Sequence, residues 1–192
     1  PLTWEVKLRR DVVFHNGAPF TADDVIFTWE RVPNVPNSPN SFAQFTRSVA
    51  QIVKVDSHTL HMKTAAVHPV LPMDLANVLI VSAGAGKGAS TQDYNSGKAA
   101  VGTGPYKLVE WVNGERLVLD RFDRYWGGKP TWARVTEVVL AKDAARLAAL
   151  LSGQVDAIDA VPSADLARLK KEPRFALVRG GPAAPVHYIA LD

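Results

Sequence analysis

Apolar and polar residues alternate from the first positions of the chain. Leu2, Trp4, Val6 and Leu8 alternate with Thr3, Glu5, Lys7 and Arg9, the two-residue period of a strand with one buried face. Val12 to Phe14 adds a short apolar run, and Asn16-Gly17 supplies a dipeptide suited to a tight turn. The period then changes. Thr21 with Asp24 three residues on forms an acidic variant of the capping box, and Phe20 and Val25 occupy the staple positions. Val25, Ile26, Trp29 and Val32 follow at helical spacing, so a helix is expected over Ala22 to Val32.

Pro, Asn and Ser crowd the stretch Val32 to Ser41, which stops that helix. Phe42 to Val49 is expected to continue as a short helix. Ile52 to Val55 and Thr59 to Lys63 flank Asp56-Ser57-His58 as a hairpin. Pro69 to Ala76 has helical character and feeds an apolar run, Val78 to Val81. Gly84 to Gly97 is small and polar, the composition of a surface loop. Tyr106 to Trp111 and Arg116 to Phe122 flank Asn113-Gly114 as a second hairpin. Val135 to Leu140 is rich in β-formers. Asp143 is expected to cap a helix through Leu151 that stops at Gly153, and Ser163 a further helix to Lys171. Val155 to Ile158, Phe175 to Val178 and Val186 to Leu191 have strand composition. This strand–helix alternation after Val135 predicts an α/β layer with some parallel pairing. A subdomain boundary is expected near Ala99 to Thr103, dividing residues 1–100 from 101–192.

The opening block, taken as a whole, resembles the signature of the family 5 extracellular solute-binding proteins of ABC transporters. Val6, Leu8, Arg9, Val13, Phe14, His15, Gly17, Pro19, Phe20, Thr21, Ala22, Asp24, Val25 and Phe27 match its order without gaps. Asn16 stands where Asp is usual and preserves the turn chemistry. Gly102-Thr103-Gly104-Pro105-Tyr106 resembles a second family motif, Tyr125-Trp126-Gly127-Gly128-Lys129-Pro130 a third, and Gly153-Gln154-Val155-Asp156 a fourth. The resemblance runs nearly end to end, yet members are usually more than twice this long.

Bulk composition narrows the alternatives. The chain has 192 residues with 47% hydrophobic content, ample for a packed core. No apolar run approaches the roughly 18 to 20 residues of a membrane span. The chain opens at Pro1 inside a strand pattern, so it is expected to be an excised piece of a longer protein. Its net charge of +3, from 22 basic and 19 acidic residues, is spread along the sequence rather than gathered on one segment. A nucleic-acid binder would cluster its basic residues with interleaved aromatics. There is no cysteine, hence no disulfide or thiolate metal site.

Catalytic constellations are missing too. Gly84 to Gly88 superficially suggests a phosphate loop, but Val81 occupies the first glycine position and Gly88 stands where Ser or Thr should follow the Lys. The third glycine also comes one position early for a dinucleotide fingerprint. His58 and His61 lie three apart on a hairpin, with no converging third ligand. Asp23 and Asp24 fall in the first turn of a helix, where the dipole favours them. No nucleophile–base pair can be assembled. No enzyme activity, cofactor or metal is therefore expected.

The resemblance implies the rest. The fold is expected to be α/β (mixed α+β), a lobe like that of the class II periplasmic binding proteins, with a mixed sheet and flanking helices. Residues 1–100 would form the outer subdomain of the first lobe and 101–192 part of the inner, hinge-bearing one, with Val186 to Asp192 crossing toward a second lobe. Function would be capture of a small solute, a short peptide first among candidates, and delivery to ABC permease subunits in the inner membrane. The protein would act as a monomer in the periplasm, or membrane-anchored outside the cytoplasm in a Gram-positive host. Phe42, Phe45 and Asn77 are the expected ligand-lining residues, the two aromatics because they follow the Pro-rich loop and match no strong packing pattern. The alternative is a ligand-sensing module of a transcription regulator with the same fold.

Overall fold

The computed structural model describes residues 2–35 and 43–178. They separate into two compact units, Pro1–Val138 and Val139–Asp192. The first unit carries two three-stranded antiparallel sheets. In one, β1 (Thr3–Lys7) and β2 (Val49–Asp56) flank a central β3 (Thr59–Thr64). The register sets Trp4 and Ile52 opposite Met62, and Val6 opposite Leu60, so these side chains share a face.

Helix α1 (Ala22–Arg31) closes that face. Ala22, Val25, Leu60 and Met62 form the buried centre, with Trp4, Phe20, Trp29 and Ile52 packed around it. Each fully buried Leu or Met contributes about 1.5–3 kcal/mol. Phe20 and Val25 meet in this cluster, as a hydrophobic staple requires. Sequence sets where α1 begins: the Asp24 carboxylate accepts from the Thr21 N–H at 2.8 Å and the Thr21 hydroxyl at 3.3 Å. The Ala22 N–H donates to Ser57 O at 2.9 Å, which pins the helix start to the β2–β3 turn. Lys54 reaches across to both oxygens of Asp23, each at 2.8 Å.

The turn after β1 is one residue longer than a two-residue hairpin loop. The Gly17 N–H donates to Phe14 O and the Phe14 N–H to Ala18 O, both at 2.8 Å. Gly17 has φ 87°, while Asn16 accepts the Ala18 N–H on its side chain. This is a three-residue loop in which only the glycine takes the left-handed region.

In the chain, α2 (Ala43–Thr46) precedes β2, whereas α3 (Leu71–Leu75), α4 (Ala83–Gly86) and α5 (Thr91–Asn95) follow β3 and lead to the second sheet. The stretch Gly84 to Gly97 is therefore not simply a loop. Serine caps turn it into two short helices: Ser82 Oγ accepts the Ala85 N–H, and Ser90 Oγ the Asp93 N–H. The second sheet orders β4 (Tyr106–Val112), β5 (Arg116–Arg121) and β6 (Arg134–Val138) with β5 central. Its polar face is laced by Arg116–Glu110 and Arg134–Asp120 pairs.

The second unit holds α6 (Asp143–Ser152), a 3-10 turn at Ser163–Asp165 and α7 (Leu166–Leu169). Gly153 ends α6 with φ 76°, the left-handed cap its sequence predicts. Asp143 is the first helical residue rather than the cap, which is Lys142. The α/β class stands, but every strand pairing among the described residues is antiparallel. Val155 to Ile158 and Phe175 to Val178 join no strand, so the expected parallel layer is not formed there. Segments of four residues are too short for alternation to commit them to a sheet. The predicted strand Val186 to Leu191 lies outside the described residues.

Asp24, only 5% exposed, ties α1 to α4 as well as to Thr21, because its second oxygen accepts the Ala83 N–H at 2.8 Å. Asp24→Ala should therefore destabilise the chain by about 3 kcal/mol, the scale of lost charge-assisted bonds and unpaired buried N–H groups. Thr21→Ala should cost about 1 kcal/mol or less. Urea melts giving the two variants equal midpoints would refute this ranking.

Candidate functional site

The first three quoted motifs converge, and their meeting point is a structural joint. The His15 N–H donates to Gly102 O at 2.8 Å. Its ring accepts the Gly102 N–H on Nδ1 at 3.3 Å and bonds Gly104 O through Nε2 at 3.1 Å. That pattern assigns the proton to Nε2, since a carbonyl can only accept. The ring stands edge-on to Phe122, 5.0 Å between centroids, and the Phe122 N–H closes on Pro105 O. The Tyr125-Trp126 loop is held at the other side, where the Arg9 guanidinium lies 4.7 Å from the Trp126 ring. Asp11 fixes that guanidinium through two contacts.

Burial pushes the His15 pKa below its ordinary value, and the bond to Gly104 O only partly opposes this. The unfolded chain then takes up a proton first as pH falls. Stability from neutral His15 is complete above about pH 6.5 and is lost as pH drops toward the folded pKa. The stability gap between the wild type and His15→Gln should accordingly shrink from pH 7.5 to pH 5 in urea melts. A gap constant across that range would show that His15 does not titrate on unfolding.

Of the expected ligand-lining residues, Phe42 lies outside the described residues. Phe45 sits half-buried on α2, which lies against α3. Asn77 is exposed just beyond α3 and donates its side-chain N–H to Met73 O at 2.8 Å, a helix-ending role. Near Asn77 in the chain lie exposed apolar residues that the sequence reading did not single out. Val67, Val70, Met73 and Leu79 are exposed, Met73 by 69% and Leu79 by 80%. On α3 Leu71 is wholly buried and Leu75 packs against the core, while Met73 points outward. A 2.7 Å His68–Asp74 pair braces the turn. Their spacing, Val67, Val70 and Met73 three apart, was the available signal. Clustered exposed apolar residues of this sort mark recognition surfaces.

A second feature is a groove of about 380 Å³ beside the last turn of α1. Phe27, Glu30, Arg31 and Val35 form one side, and Gly86 and Ala89 the other. A Cβ at Gly86 would collide with the Tyr94 hydroxyl and stand 2.7 Å from Phe27 Cε1, so only glycine lets α4 approach so closely.

The model of the bacterial extracellular solute-binding proteins, family 5 Middle, matches residues 1–192. The chain belongs to this family. It is 30% identical over 210 residues to the probable ABC transporter periplasmic-binding protein SapA of Escherichia coli (strain K12), covering 99% of this chain and 38% of that protein. Among solved structures, the oligopeptide-binding protein AppA from Bacillus subtilis in complex with a nonapeptide superposes with a TM-score of 0.74 at 26% identity. That match covers 90% of this chain and 35% of AppA. NikZ from Campylobacter jejuni in complex with Ni(L-His) gives a TM-score of 0.77 at 23% identity, over 90% of this chain and 34% of NikZ, and shares the fold. The chain thus spans less than two fifths of the length of each of these three proteins.

Proposed function

We propose that this chain supplies one wall of a solute cleft in an extracytoplasmic binding protein that hands short peptides to an ABC permease. The carrying observation is the exposed apolar pair Val70 and Met73, at the cap and in the middle of α3, with α2 packed against that helix, on a chain related to the probable ABC transporter protein SapA. A wall left open in this way suits a ligand enclosed from the other side by chain that these 192 residues do not include. Residues 1–100 then serve as the outer subdomain of the first lobe and 101–192 as part of the hinge-bearing one. Binding proceeds without turnover, in a monomer, by closure of the hinge class. We assign Phe42, Phe45 and Asn77 to this wall, and add Met73 and Val70 because they are exposed. SapA is named as a probable ABC transporter protein and AppA as an oligopeptide-binding protein, which favours this reading over the sensory module.

The test is calorimetry against a library of short peptides. An intact protein carrying this chain should bind at around micromolar Kd, about −8 kcal/mol, and residues 1–192 alone near millimolar, about −4 kcal/mol. Met73→Asp and Phe45→Ala in the intact protein should weaken binding by about tenfold each, or ~1.4 kcal/mol, with the melting midpoint of Met73→Asp unchanged. Tight, selective binding by residues 1–192 alone would contradict the open-wall reading. So would full affinity in both variants.

A further inference from the structure

We infer that His15 is an acid-sensitive latch: a second ring proton drives its imidazole out of the Gly102–Gly104 turn and frees the entry to β4. The ring fits that turn in one protonation state. Its Nδ1 accepts the Gly102 N–H at 3.3 Å, while Nε2–H donates to Gly104 O at 3.1 Å. An imidazolium carries a proton on both nitrogens and has no acceptor left. Its Nδ1–H would face the Gly102 N–H, donor against donor.

Gly102 cannot retreat from that clash. Its carbonyl accepts the His15 N–H at 2.8 Å, so the backbones of the two residues stay joined. The ring is the part free to move, by rotation about its own χ1. Leaving, it gives up Gly104 O and the edge contact with Phe122, 5.0 Å between centroids. Gly104 leads directly into Pro105 and β4, and Pro105 O accepts the Phe122 N–H at 2.9 Å. The latch therefore ties the turn after β1 to the edge of the second sheet, and its release slackens that tie.

Two other histidines show the contrast. His61 and His68 each face a carboxylate, Glu5 at 3.7 Å and Asp74 at 2.7 Å, whereas His15 has no such partner among the described residues. The charged groups on the elements around it are Lys107 on β4 and, flanking Phe122, Arg121, Asp123 and Arg124. Asp123 is already paired with Arg121 at 2.9 Å, and Arg124 reaches toward Gly17. Burial first, and the Lys107 charge with it, oppose a second proton on the ring, and the bond to Gly104 O offsets them only in part. A ring swung into solvent escapes that penalty. Protons therefore favour the released state, and the latch opens on the acid side of about pH 6.5. On the extracytoplasmic reading proposed above, it meets the pH of the surroundings. It uses no residue of α3, so it stands whether or not that helix binds peptide.

The experiment is hydrogen–deuterium exchange of an intact protein carrying this chain, read by mass spectrometry at pH 7.5 and 5.5 and corrected for intrinsic rates. Segments 99–106 and 118–125 should lose about fivefold in protection at pH 5.5, the scale of one net hydrogen bond. Strand β3, Thr59–Thr64, should keep its protection, which separates release of the latch from global loosening. The side chain of His15→Gln offers an oxygen to the Gly102 N–H and an N–H to Gly104 O, and it does not titrate. Its protection in both segments should be the same at the two pH values. Equal protection of the wild type at both pH values would overturn the inference, whether or not the Gln variant folds. So would a loss shared equally by β3, or one of the same size in His15→Gln.

Discussion

One buried carboxylate sets the architecture of the first unit. Asp24 accepts from the Thr21 N–H and hydroxyl at the start of α1 and from the Ala83 N–H at the start of α4. A carboxylate this buried is tolerable only because donors surround it and the helix N-terminus favours negative charge. Thr28, one turn along, extends the seam: its hydroxyl accepts the Val81 N–H at 3.0 Å and donates to Asp24 O at 2.8 Å. Val81 to Ala83 has no sheet partner, so these side chains hold it where a strand would use backbone. Everything the segment carries, from Ile80 in the core to Gly86 in the groove, takes its position from that seam.

The recognisable motifs are strong in sequence because they answer to one another in space. His15, Gly102, Gly104, Phe122, Arg9 and Trp126 come from three segments and interlock through short bonds and ring contacts. Each part restricts the others, which is why a linear pattern exists to be read. None of these groups presents free chemistry to a solute. On the reading proposed above, recognition falls to exposed apolar side chains such as Met73, which need only be roughly the right size.

That division explains what was legible. The helix at Ala22, both hairpins and the αL end of α6 at Gly153 followed from local rules of capping, alternation and glycine freedom. Asp24 was legible as a first-turn acid but not as a tie to Ala83, because that bond spans 59 residues. The short helices α4 and α5 were hidden by glycine-rich composition, although Ser82 and Ser90 stood ready to cap them. Val155 to Ile158 misled for the opposite reason, since β-formers alone do not make a strand without a neighbour to pair with.

Exposure is the property that local sequence encodes least. Leu71 and Met73 are two residues apart on one short helix, yet one is fully buried and the other largely free. Hydrophobicity cannot separate them; only the placement of α3 on the core does. The same holds for Arg31, whose charge looks like an ordinary helix-end cation until Tyr94 is found beneath it. Tyr94 is placed there by the Ser90–Asp93 capping box of α5, in which the hydroxyl and N–H of Ser90 and the Lys98 ammonium hold the Asp93 pKa down at about 2. The groove is thus assembled from two helix ends that sequence describes separately, and it exists only when α1 and α5 are brought together.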